Sequence, residues 1–167
     1  MGNFCRWLCC LKRPIPPQTN PTIEKTMTST ILIVGNVAVG KTSLIECFKT
    51  NKSRKGEEVR PTITLEDHII KRENPNTGEK IILKIRDLAG NNNAESLIRD
   101  QPRISYIILC YSIDKKKSFK GLNDWLEAIN SVNVGKKAPI ALVCTKNDLE
   151  RVISYDKGNN MRDYINE

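Results

Sequence analysis

Apolar residues along the chain fall into short unbroken runs and helical stripes separated by polar stretches. Thr30-Ile-Leu-Ile-Val34 is a run of strand length, and Leu44, Ile45 and Phe48 then recur at helical spacing across Thr42 to Lys49. Asn51 to Pro61, NKSRKGEEVRP, has no apolar period and reads as a loop. It passes through Thr62-Ile-Thr-Leu-Glu-Asp67 into His68-Ile-Ile-Lys-Arg72, and the turn residues Asn74 to Gly78 separate that strand from Lys80-Ile-Ile-Leu-Lys-Ile85, which predicts a hairpin. His68 is the single histidine; with no partner at ligand spacing, it reads as a solvent-facing strand residue. Ser105 to Tyr111 and Pro139 to Cys144 are further buried strands. Between them, Ser118 to Ser131 is a helix with Phe119, Leu122, Leu126 and Ile129 on one face. One antiparallel pair followed by strands that need crossover helices predicts an α/β fold, with a mostly parallel sheet and helices on both faces.

Residues 1–29 lack this patterning and carry Pro14, Pro16, Pro17 and Pro21, so they read as a flexible tail before a single domain over 30–167. The 167 residues, 39% hydrophobic and 28% charged, suit one globular domain. A net charge of +8 raises nucleic acid as a partner. The basic residues are dispersed, however, with only short clusters such as Lys115 to Lys117 and no interleaved aromatics, so nucleic acid is disfavoured against solvated surface or an anionic membrane. Of the cysteines, Cys47, Cys110 and Cys144 stand singly without metal-ligand spacing and read as reduced thiols. The start, MGNFCRWLCCLKR, offers Gly2 for N-acylation, Cys5, Cys9 and Cys10 for palmitoylation, and Lys12-Arg13 for anionic headgroups, the elements of a two-signal membrane anchor. Arg6 departs from the Ser or Thr of the myristoylation pattern. No run reaches transmembrane length, and a basic cluster after the apolar residues disfavours a secretory signal.

The chemistry concentrates at Gly35-Asn36-Val37-Ala38-Val39-Gly40-Lys41-Thr42, followed by Ser43, which fits GxxxxGK[ST] between a strand and a helix start. In that setting glycines let backbone N–H groups turn toward a phosphate, Lys41 neutralises terminal phosphates and the Thr42 hydroxyl is placed for Mg²⁺. Asp87-Leu-Ala-Gly90 follows one strand and Thr145-Lys-Asn-Asp148 another. Both therefore lie at the sheet edge where ligands bind in α/β folds.

In this order GNVAVGKT, the Pro61-Thr62 pair, DLAG and TKND resemble the Ras superfamily of small GTPases. Tyr111-Ser-Ile-Asp114, Ser118-Phe119, Trp125-Leu126 and the run Asp148 to Tyr155 are most similar to Rab-type members. The resemblance implies a phosphate-loop NTPase that binds GTP and GDP with Mg²⁺. It implies Thr62 on Mg²⁺ and the γ-phosphate, Asp87 on Mg²⁺ through water, Gly90 at the γ-phosphate, Lys146 along the base and Asp148 accepting guanine's N–H donors. Adenine would leave that carboxylate unpaired.

Departures from the family pattern qualify the activity. Asn91 stands in place of the water-orienting glutamine and is a methylene shorter, so Asn91 with Lys41 makes a weak catalytic set. Val37 crowds the γ-phosphate, Arg86 replaces a tryptophan, and no aromatic lies between Lys49 and Thr62 to stack on guanine. The family also continues beyond this chain with a strand, a SAK-type loop and a last helix, so the domain reads as C-terminally incomplete, with apolar sheet area left uncovered. The expectation is a GTP-binding switch, slow at hydrolysis, at the cytoplasmic face of a membrane, with unknown effector and regulator proteins. A membrane-tethered pseudo-GTPase or a non-functional truncated product are the alternatives.

Overall fold

The computed structural model describes residues 26–52, 65–90, 94–99, 104–132 and 138–166. In chain order these form β1 (Thr26–Val34), α1 (Lys41–Thr50), β2 (Glu66–Glu73), β3 (Lys80–Asp87), α2 (Ala94–Arg99) and β4 (Tyr106–Ser112). Then follow α3 (Lys116–Lys120), α4 (Leu122–Ser131), β5 (Ile140–Thr145) and α5 (Tyr155–Asn166). The strands make one sheet in the order β2-β3-β1-β4-β5. β2 and β3 are the expected antiparallel hairpin, whereas β1 runs parallel to both β3 and β4, and β4 parallel to β5.

Alternation along β1 splits the interior. Leu32 and Val34 point into a cluster with Ile107, Leu109 and Tyr111 of β4, closed over by Ile98 of α2, by Leu122, Trp125 and Ile129 of α4, and by Met161 and Ile165 of α5. Ile33 points the other way, to Ile70, Ile85, Cys110 and Ile45 of α1. Helices thus cover both faces. Beside α1, Ile31, Leu83, Ile108 and Val143 remain half-buried.

Four local features differ from the sequence reading. β1 begins at Thr26, inside the stretch read as tail, because Thr26 to Ser29 pair with Lys80 to Leu83 through backbone groups that carry no apolar signal. The helix expected over Ser118 to Ser131 is two helices meeting at Gly121, where the Asn36 side chain lies against the space a Cβ would fill. His68 is not solvent-facing. Its side chain is 11% exposed and its Nδ1 lies 2.7 Å from Lys49 Nζ, because it shares with buried Ile70 the β2 face turned toward α1. Phe48 is outside the core, 44% exposed, with the Arg72 guanidinium 5.4 Å above its ring. The loop read between Ser131 and Pro139 falls largely on 133–137, outside the described residues.

α5 lies against β5 and bounds a groove of about 660 Å³, lined by Leu142, Cys144, Arg151 and Tyr155 among others. Arg151 stacks 3.8 Å over the Tyr155 ring. Among the described residues, β5 pairs with β4 only.

Candidate nucleotide site

β1 delivers the chain into the glycine loop, and the loop closes on backbone conformations of unusual sign. Gly35, Ala38 and Gly40 have φ of 141°, 59° and 97°. Positive φ at these positions turns successive N–H groups toward one concavity at the start of α1, an anion-binding arrangement. At Gly35 the turn passes so close to the Cys110 carbonyl that a Cβ would collide with it.

Lys41, the first residue of α1, is 6% exposed and folds back over the loop. Its Nζ donates to the Gly35 carbonyl at 2.9 Å and to the Asn36 carbonyl at 3.2 Å. An ammonium has three N–H donors, so one remains for a ligand. Burial pushes its pKa down, while the nearby Asp87 carboxylate and Cys110 work against that shift. Burial likewise pushes the Cys110 thiol up to about 12. The next residue, Thr42, donates from Oγ1 to Asp87 Oδ2 at 2.5 Å. Asp87 ends β3 and is fully buried, so the loop hydroxyl and the strand-end carboxylate meet. Leu88 continues alongside β1, its N–H on the Ile33 carbonyl at 3.3 Å, and brings Gly90 onto the loop. A Cβ at Gly90 would collide with the backbone of Asn36 and Val37.

At the end of β5, Thr145 ties the second sequence motif to the first. Its Oγ1 lies within hydrogen-bond reach of the Val39 carbonyl in the loop and 3.0 Å from the Tyr111 carbonyl, two acceptors that its single proton serves in turn. Lys146 adopts φ 57° and its carbonyl accepts from Leu149 N–H at 2.9 Å, which closes a turn around Asn147 and Asp148. Asp148 is exposed and Lys146 half-buried. Near them, burial would raise the Asp114 pKa, but a hydrogen bond from Ser112 Oγ, its own backbone and the charges of Lys146 and Lys115 hold it below the ordinary value.

Sequence reasoning missed one member of the site. The Asn36 side chain does not face the concavity; its Oδ1 accepts from Trp125 Nε1 of α4 at 2.9 Å. The two residues are 89 apart, and Trp125 reads in sequence only as part of the Rab-like Trp125-Leu126 pair. Of the other expected site residues, Thr62, Asn91, Gly2, Cys5, Cys9 and Cys10 lie outside the described residues.

Comparison with known proteins decides the class, since residues 30–166 match the Ras family as a whole. The chain belongs to the Ras family. It is similar to the Ras-related protein RabZ of Dictyostelium discoideum, 31% identical over 150 residues that span 88% of this chain and 64% of RabZ. It is also similar to human Rab-30, 35% identical over 71% of this chain and 57% of that protein, and to mouse Rab-12, 33% identical over 81% and 55%. The chain therefore spans under two thirds of the length of these relatives and is a Rab-like small GTPase by sequence and fold.

Ras and Rab proteins bind GTP or GDP with Mg²⁺. The Thr42 hydroxyl and Asp87 carboxylate fit that cation: both are hard oxygen donors, and Mg²⁺ takes one or two protein oxygens together with phosphate and water.

Proposed function

We propose that this Rab-like chain is a GTP-binding switch with weak GTP hydrolysis that acts at a membrane, in vesicle traffic or signalling. The observation that carries the reading is the convergence on one concavity of Lys41, the Thr42–Asp87 pair and Gly90, with Thr145 joining them to the Lys146–Asp148 turn. Lys41 offers its remaining N–H to a terminal phosphate, and the loop N–H groups spread further positive potential over it. Bound Mg²⁺ would neutralise charge on the β- and γ-phosphates from the side of Thr42 and Asp87. Asp148, exposed at its turn, is free to accept the two N–H donors that guanine presents and adenine lacks.

Weak hydrolysis rests on two residues. Asn91 has too short a reach to orient water as glutamine does, and Val37, 54% exposed on the loop, takes up space beside the γ-phosphate position. Membrane action rests on Gly2, Cys5, Cys9 and Cys10. No helix among the described residues is long and apolar enough to cross a membrane.

Two measurements test the proposal. The purified full chain with Mg²⁺ should bind GDP and GTP and reject ATP; equal affinity for ATP and GTP would sink the base assignment. In cells, Gly2→Ala with Cys9→Ser and Cys10→Ser should move the protein from membranes to the soluble fraction. An unchanged distribution would show that the N-terminus is not the anchor.

A further inference from the structure

Trp125 is 3% exposed, packed among Leu122, Ile98 and Leu88 on the inner side of α4, and its indole N–H is the one polar group it carries into that apolar setting. Indole nitrogen donates only, and a buried donor without an acceptor is costly, so the Asn36 Oδ1 at 2.9 Å is a partner this tryptophan needs. The bond fixes which way the Asn36 amide points. Gly121 completes the seat: a Cβ there would come within 2.5 Å of Asn36 Nδ2 and 2.6 Å of Oδ1, so the amide lies flat on the helix junction because residue 121 is glycine.

The backbone of the same asparagine does two further things. Its carbonyl accepts from Lys41 Nζ at 3.2 Å, and its carbonyl carbon lies where a side chain on residue 90 would collide. Asn36 is thus held by α4 on one side and touched by Gly90 on another, while it seats the phosphate-binding lysine. α4 also packs against α2, the helix after Gly90, through the cluster of Ile98 with Leu122 and Leu126. One helix braces both segments that would meet the γ-phosphate.

We propose that Trp125 is a positioning residue for the nucleotide. Through Asn36 its indole N–H holds the phosphate loop and the seat of Lys41, and so slows nucleotide release. The inference rests on the GTP-binding reading and deepens it.

The test is release of radiolabelled GDP from the full chain with Mg²⁺. Trp125→Phe keeps an aromatic ring and removes the N–H; Asn36→Ala removes the acceptor. Each should speed release about three- to tenfold, the range that one hydrogen bond of ordinary strength allows. The double variant should be no faster than the faster single one, because both changes delete the same bond. Asn36→Asp keeps an oxygen facing the indole and should stay within about twofold of the parent, a rescue that loss of packing alone would not produce. If Trp125→Phe does not fold, the contrast between Asn36→Ala and Asn36→Asp still decides. Release at the parental rate in Asn36→Ala, additive effects in the double variant, or equally fast release from Asn36→Asp and Asn36→Ala would each overturn the positioning role while leaving GTP binding intact. A folded parent that binds no GDP would overturn both readings.

Discussion

At the phosphate end of the site Lys41 and Asp87 are 6% and 0% exposed, whereas at the base end Lys146 is half-buried and Asn147 and Asp148 are exposed. The phosphate end is also cross-braced. The Gly35 and Asn36 carbonyls hold Lys41, Thr42 is bonded to Asp87, Gly90 rests on the loop backbone, and Trp125 holds Asn36. The base end hangs on fewer ties: Thr145 to the Val39 and Tyr111 carbonyls, the Ile113 N–H on the Thr145 carbonyl, and one turn bond from Leu149 to Lys146. Preorganised donors cost no rearrangement when charge arrives, so in the proposed function the buried end would supply affinity for any nucleoside triphosphate. The exposed end would add little besides discrimination, which needs only one carboxylate facing the base.

Four substitutions can break or sharpen that contrast. The largest effect should come from Lys41→Ala, which removes a buried charge from the phosphate end and should weaken GDP and GTP about 100-fold, the scale of a hydrogen bond to a charged group. Isothermal titration reads it, and parental affinity would show that the buried end is not the source of binding. Next, Asp148→Asn should leave phosphate binding intact but cost guanine about tenfold or more while admitting xanthine, whose C2 carbonyl accepts from the new amide. Competition between GTP and XTP checks this, and unchanged preference would dissolve the division of labour. Third, Asn91→Gln should raise single-turnover hydrolysis several-fold, on the order of 1 kcal/mol of barrier, without changing GTP affinity. A parent already as fast would assign water positioning to another group.

The smallest effect should come from Ala38→Gly. Ala38 holds φ 59°, a left-handed conformation that costs a side chain about 1–2 kcal/mol, offset in part by the greater freedom of glycine in the unfolded chain. A gain of up to about 1 kcal/mol in denaturant unfolding is expected, and a loss would mean that the loop needs the extra methyl.

The phosphate end was the more legible of the two in sequence. GNVAVGKT is local, its flanking strand and helix are strongly patterned, and Asp87 follows directly on an apolar run, so spacing alone brought Lys41, Thr42 and Asp87 to one edge of the sheet. What stayed hidden depends on contacts distant in sequence or on elements without an apolar period. α5 contains Gly158, Asn159 and Asn160, weak helix formers, and turns only Met161 and Ile165 into the core. It is held there by packing against β5 and β4 rather than by propensity. Gly121 read as one position within a single helix, because nothing local announces that an asparagine from the phosphate loop will lie on it. His68 was misjudged for a similar reason: its inward face is defined by Lys49 on a different element.

The Trp125–Asn36 bond also has a spectroscopic consequence. The sequence holds two tryptophans, Trp7 and Trp125, and Trp125 is hydrogen-bonded to a residue of the phosphate loop. Indole emission shifts with the strength of the bond its nitrogen makes and with the polarity around the ring. After Trp7→Phe, the protein would carry a single emitter excited near the red edge of its absorption, and loading or release of nucleotide could be followed as a change in its colour, without any label attached.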